Sequence, residues 1–324
     1  MDRRNFLGQM SAIATSAVVA SPCLAAEMPV SPTYRKPVSR IVDTHTHFYD
    51  PTRSEGVPWP NKGTTLHRPV YPNDWLKVAS SSNVKETVVV EASAWLEDNQ
   101  WILDVAKQNK SIVGFVGRLS PQEIDFPKHL KRFASDPIFR GIRIGGDFPK
   151  YLNDATFRNG IKLMVDLGLE LDINAPTVTQ STIVKLAREF TDLRIVINHV
   201  GSAGDPTKLS AEWRSGMTAL GNCQNVYCKV SALGEQTEES NLRYGSSPRD
   251  VAYYKPILDH CWSSFGEDRL IYGSNWPVCE KGGTYEDQFA IVSQYFESKG
   301  HDACEKYFWK NALVAYRWPE KTSA

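Results

Sequence analysis

"RIVDTHTH", residues 40–47, decides the fold. Apolar Ile41 and Val42 open a short run that ends in two histidines rather than in a turn of glycines. A doubly wound sheet typically carries a Gly-rich phosphate turn after its first strand. None is present here, so the competing architecture gains. Residues two apart on a strand share a face, so Asp43, His45 and His47 are expected to point together. Two imidazoles so placed are close enough to bind one divalent metal.

Seven similar runs follow: "ETVVVEA", "SIVGFVGR", "RGIRIGG", "GLELDIN", "LRIVINHVG", "NVYCKVSAL" and "RLIYGSNW". Between them lie amphipathic stretches such as "WLEDNQWILDVAKQNK", where Trp95, Leu96, Ile102, Leu103, Val105 and Ala106 can share a broad face. Another, "TVTQSTIVKLAREF", offers a Thr cap ahead of an apolar stripe. Strict alternation of helix with strands apolar on both faces implies a parallel sheet wrapped by helices. Eight units in one chain of this length predict a distorted (β/α)8 barrel in a single domain, residues 40–318. The Pro/Gly-rich segment 50–72 has no periodicity and, following the first strand, is expected to cover the barrel mouth. "CEKYFWKNALVAYRW" reads as a final helix on the barrel, with residues 319–324 as a tail.

The first 26 residues read as a twin-arginine export signal, with Arg3-Arg4 ahead of a short, weakly apolar run and small residues at its end. Residues 27–39 are then a linker, and the mature protein is periplasmic or extracellular, with no membrane anchor after cleavage. Lys+Arg and Asp+Glu balance at 37 each, without a basic block, which gives no reason to expect nucleic acid or an anionic membrane as partner. The expected partner is a small-molecule substrate, and the composition is open to a homo-oligomer. Of six cysteines, Cys23 leaves with the signal; the other five form no CxxC pair and read as buried thiols.

In a barrel the C-terminal ends of all strands converge on one mouth. The second run ends at Glu91, a carboxylate costly to bury without a cation, metal or donor. The fourth presents Arg143, suited to a bidentate grip on a substrate oxygen, or to an ion pair with Glu91 or Asp172. The fifth presents Asp172 and Asn174, the sixth ends at His199, and the seventh carries Lys229 and Ser231. The eighth, "LIYGSNWPVC", passes through Gly273-Ser274 to Asn275, backed by Trp276. His67, His129, His260 and His301 fall on loops or helices and read as non-catalytic.

"VDTHTHFYDP", "GIRI", "INHVG", "NVYCKVSAL", "FGEDRLIYGSNWPVC" and "KNALVAYRW" together resemble, in order and spacing, the amidohydrolase superfamily. The likeness is greatest to its amidohydrolase-2 branch, with fuconolactonase-like and pyrone-dicarboxylate-lactonase-like enzymes. It spans residues 40–317 and implies a distorted (β/α)8 barrel, often one divalent metal, and hydrolysis of a lactone or related bond. By resemblance, His45 and His47 match the first-strand pair, His199 the sixth-strand histidine, and Asn275 the eighth-strand aspartate.

That aspartate moves the proton of the attacking water, and an amide cannot. General acid–base work of this kind contributes roughly 10²–10⁴-fold. Three explanations stand side by side. The base is relocated to Asp172, Glu91 or neutral His199; or a metal hydroxide attacks while Asn275 orients the substrate; or the site binds without hydrolysing. The expectation is a metal-dependent lactonase acting on a sugar-derived or carboxylated lactone. Asn275, His199 and Asp172 would be catalytic, and Arg143, Lys229 and Trp276 would bind substrate. His45, His47, Glu91 and His199 would hold one zinc or manganese. A metal-free lactonase, a decarboxylase or isomerase, and a binding protein are the alternatives.

Overall fold

A computed structural model describes residues 37–320; the expected signal, most of the linker and the last four residues lie outside them. All eight expected strands form: β1 (Val42–Thr46), β2 (Glu86–Val90), β3 (Ile112–Gly117), β4 (Phe139–Ile144), β5 (Glu170–Ile173), β6 (Arg194–Ile197), β7 (Val226–Val230) and β8 (Leu270–Tyr272). They make one sheet in sequence order, every neighbouring pair parallel. The ring closes beyond the end of β8. There Thr46 bridges Trp276 in parallel, Asn275 N–H donates to His45 O at 2.8 Å, and His47 N–H donates to Trp276 O at 2.9 Å. The seam of the barrel is therefore built from the residues that carry its chemistry.

The core has two parts. Side chains such as Phe115, Leu171, Ile195 and Tyr272 fill the layer between sheet and helices. Inside the barrel Val42, Val88, Val116, Val196 and Ile271 pack with Ala312, Ala315 and Tyr316 from the last helix, Asn311–Tyr316. The chain end thus does more than lie on the barrel. Asn311 donates to Glu267 O and Leu270 O, and Arg194 to Ala315 O, which ties that helix to the starting ends of the strands. Burying this interior plug removes the space that an open barrel would leave, at roughly 25 cal/mol per Å² of apolar surface.

One strand departs from simple alternation. In the β1–β2 pairing Asp43 faces Thr87 and Thr46 faces Val89, so three steps along β1 match two along β2. This bulge reverses the faces, because side-chain direction has period two. Asp43 turns outward, where Oδ2 accepts from Tyr285 of helix Tyr285–Lys299 and Oδ1 from Ser274 N–H. His45 and His47 turn inward. The expectation that all three point together is corrected by that one extra residue.

Candidate active site

Three imidazoles meet at the mouth. The ring centroids of His45 and His47 are 5.0 Å apart, and those of His45 and His199 are 4.4 Å apart. His47 Nδ1 lies 2.9 Å from Val90 O; a carbonyl only accepts, so Nδ1 carries the proton and Nε2 keeps its lone pair. His199 Nδ1 is held by Ser231 Oγ at 2.9 Å. Burial drives all three imidazoles to low pKa, helped by Lys229 at His45 and by Arg143 at the other two, and His47 falls to about 3. At neutral pH they are neutral.

His45 differs from the other two. Lys229 Nζ lies 3.3 Å from its Nδ1, while Nε2 is buried without a partner. An ammonium has only donors, so this contact puts the ring proton on Nε2. Lys229 itself is fully buried, bound to Asp172 Oδ2 at 2.8 Å, and Tyr316 donates to Asp172 Oδ1 at 2.9 Å. Lys229 and Asp172 therefore form a floor beneath His45. This corrects two expectations: Lys229 is not presented to substrate, and Asp172 is spoken for by a cation and a phenol rather than free as a base.

Arg143 and Glu91 find each other. Arg143 Nε donates to Glu91 Oε1 at 2.9 Å and its Nη2 to Glu91 O at 2.8 Å. Glu91 Oε1 is thereby held by a guanidinium, which leaves Oε2 as its uncommitted oxygen, and Arg143 is oriented with Nη1 left over for a ligand. Trp276 is corrected as well. It is buried against Phe48, with ring centroids 6.4 Å apart, and serves the barrel seam rather than the mouth.

Segment 50–72 reaches the site through Trp59, whose ring stands edge-on to His47 at 5.9 Å and to Tyr49 at 5.3 Å. Beside it a narrow cleft is lined by Phe48, Tyr49, Arg53, Trp59, Glu91 and Trp101. Arg53, paired with Asp98 and lying over Trp101, anchors this wall.

Asn275 lies at the seam with φ of 66°, a left-handed conformation that Asn tolerates better than most residues. Its Oδ1 is 3.2 Å from His47 Nε2, and its Nδ2 donates to Glu235 Oε1 at 2.8 Å. Glu235 escapes the sequence reading. It sits in the turn Gly234–Gln236 after β7, where "LGEQTEES" looks like an ordinary solvated acidic loop. Its Oε2 is buried without a partner, and burial raises its pKa to about 7. Its place just beyond a strand's C-terminal end was the one available signal.

The amidohydrolase family profile matches residues 42–318. The chain belongs to the amidohydrolase family. An L-fucono-1,5-lactonase of Burkholderia ambifaria is 29% identical over 285 residues, covering 85% of this chain and 95% of that one. An L-rhamnono-gamma-lactonase of Scheffersomyces stipitis is 22% identical, covering 86% and 98%. A zinc-bound amidohydrolase from Burkholderia multivorans shares the fold with a TM-score of 0.78 at 22% identity, covering 87% of this chain and all of the other.

The donors fit a metal in part. His47 and His199 each have Nδ1 fixed by a neighbour, the usual preparation of a histidine ligand, although His47 Nε2 also faces Asn275 Oδ1. His45 fits only if its proton moves to Nδ1 and Lys229 keeps Asp172 alone. Among the described residues, no three His, Cys, Asp or Glu side chains are arranged ready to hold an ion.

Proposed function

We propose that this amidohydrolase is a lactonase that opens a sugar-derived or carboxylated lactone by attack of water on the ring carbonyl. The observation that carries the reading is the convergence of His45, His47 and His199, all neutral, on the Asn275 seam of a family barrel. The lactonases among its relatives support the substrate class. Arg143, fixed on one side by Glu91, offers its remaining N–H groups to a lactone or carboxylate oxygen. Trp59, standing over His47, offers its ring to the apolar face of the lactone and limits access of bulk water.

Family membership and the zinc-bound neighbour suggest a divalent metal, for which zinc or manganese is our choice. His47 and His199 would hold it, joined by His45 after the tautomer change, or by Glu91 through the oxygen that Arg143 leaves free. Such an ion, when bound, polarises the carbonyl and acidifies water. Without it, the His45 Nε2–H, buried and unpartnered, is a ready donor to the substrate carbonyl oxygen.

We also propose that the protein is exported by the twin-arginine route, from Arg3-Arg4, and meets its substrate outside the cytoplasm. A panel of aldonolactones and carboxylated lactones, with the metal content of the protein determined alongside, tests the activity. Release of acid supports the lactonase. Release of CO₂ from an aromatic or unsaturated acid, without acid from any lactone, would replace it with a decarboxylase.

A further inference from the structure

The seam amide is not isolated from acid–base chemistry; it is in contact with a carboxyl group carried by the next loop. We propose that Glu235 supplies the proton-transfer carboxyl that position 275 lacks, with Asn275 as the positioning residue that holds it to the site. The proposal rests on the lactonase reading above.

Three features of the geometry carry it. First, Asn275 bridges His47 and Glu235, so the carboxyl stands one amide away from the imidazole cluster. Second, its turn is fixed in place. Gly234 N–H donates to Gln288 Oε1 at 3.1 Å, and a Cβ on Gly282 would come within 2.6 Å of the Gly234 backbone and 3.0 Å of Glu235 N. The loops after β7 and β8 are in direct backbone contact, which leaves Glu235 little freedom to swing to solvent. Third, Oε2 is shielded and unpartnered, an arrangement that favours a proton on the group or a ligand beside it.

The donor and acceptor count explains why an amide suits this bridge. With Nδ2 toward Glu235, Asn275 satisfies an ionised carboxylate but sets its Oδ1 against the His47 Nε2 lone pair. Turned by half a rotation, it gives Nδ2 to the His47 lone pair and Oδ1 to a protonated Glu235. The amide can follow the proton on and off Glu235, the protonated arrangement being the one that satisfies both neighbours, and an aspartate beside a second carboxylate would add like-charge repulsion. The titratable neighbours of Glu235 are Lys281, which favours the ionised form, and Tyr254 and Cys279, a phenol and a thiol that burial keeps neutral.

In the reaction, water oxygen bonds to the lactone carbonyl carbon while the Glu235 carboxylate takes one water proton. The ring C–O bond then breaks and the departing alkoxide takes that proton from Glu235. Lactone and water become hydroxy acid, with no change of oxidation state, and the carboxylate is regenerated. A group titrating near neutrality is suited to both halves of this transfer.

The test is a carboxyl swap read on turnover, pH profile and infrared titration. Glu235→Gln should lower kcat by about 10²–10⁴-fold in protein shown to be folded, with KM and metal content near those of the parent. It should also abolish the acid limb of the kcat profile. Glu235→Gln combined with Asn275→Asp, which reverses the amide and the acid, should recover most of the loss. A Glu235→Gln protein that keeps the parental rate, or a folded swap variant no better than the single, would overturn the proposal. Infrared spectroscopy separates this from the substrate question. Should the parent open no lactone, the lactonase reading falls. A buried carboxyl band that titrates near neutral pH and vanishes in Glu235→Gln would still uphold Glu235 as the poised acid, and its absence would refute it.

Discussion

Lys229 shows how much of this site is decided one side chain at a time. It has no exposed surface, neutralises Asp172 and meets His45 Nδ1, so it sets the charge and tautomer beneath the imidazoles. Removing one partner of a buried pair leaves the other charge uncompensated, which costs about 3–5 kcal/mol. Lys229→Met should therefore destabilise the protein by that order in denaturant titration. Lys229→Met with Asp172→Asn should lose clearly less, because both charges go together. Equal losses in the single and double variants would show that the pair is not coupled. The sequence could name Lys229 and Asp172 as mouth residues from strand parity alone. It could not say that they satisfy each other, since parity gives direction and not depth. Arg143 and Glu91 illustrate the same limit, although the ion pair was one of the outcomes that their burial allowed.

Strands and turns fix what single residues can reach. The bulge in β1 turns both histidines inward and sends Asp43 to the helix layer, and nothing in "VDTHTH" marks it. The runs of apolar residues, by contrast, made all eight strands legible, because a strand buried on both faces has few other ways to be written. Glu235 was illegible for a different reason. A turn glutamate looks solvated until the loop packed over it is known. At the end of β8, Gly273 leaves room for the site: a Cβ there would lie 2.9 Å from His45 Cβ and 3.1 Å from Lys229 Cδ. Gly273→Ala should push His45 off its position, at an overpacking cost of about 1–3 kcal/mol. Turnover should fall far more than this loss of stability explains, and kcat measured on protein shown to be folded checks it. Unchanged kcat would mean that the position of His45 is not critical.

For the molecule as a whole, the buried titratable groups set opposing pH trends. An unfolded histidine takes up a proton below about pH 6.5, but folded His47 resists until about 3, so its burial costs stability as pH falls between those values. Glu235 works the other way. The unfolded side chain loses its proton above about pH 4.5, yet the folded one keeps it until about 7, so stability is lost as pH rises across that window. In metal-stripped protein, Glu235→Gln should therefore gain on the parent as pH rises from about 4.5 to 7 and level off beyond. His47→Gln should gain as pH falls below about 6.5. Parallel stability curves for parent and variants would contradict both assignments. At the chain's start, Arg3→Lys with Arg4→Lys should leave an uncut precursor in the cytoplasm, as fractionation and N-terminal sequencing would show. Mature protein outside the inner membrane would point to the general secretory route.

The most direct measurement of the central claim is lactone opening in ¹⁸O-water, followed by mass spectrometry of the product, with the parent and His47→Ala compared. Attack of water on the ring carbonyl at the imidazole cluster predicts one ¹⁸O in the new carboxylate and none in the freed hydroxyl. The rate should fall by about 10²-fold or more in His47→Ala. Label in the hydroxyl, an unchanged rate in His47→Ala, or no ring opening by the parent on any lactone would contradict it.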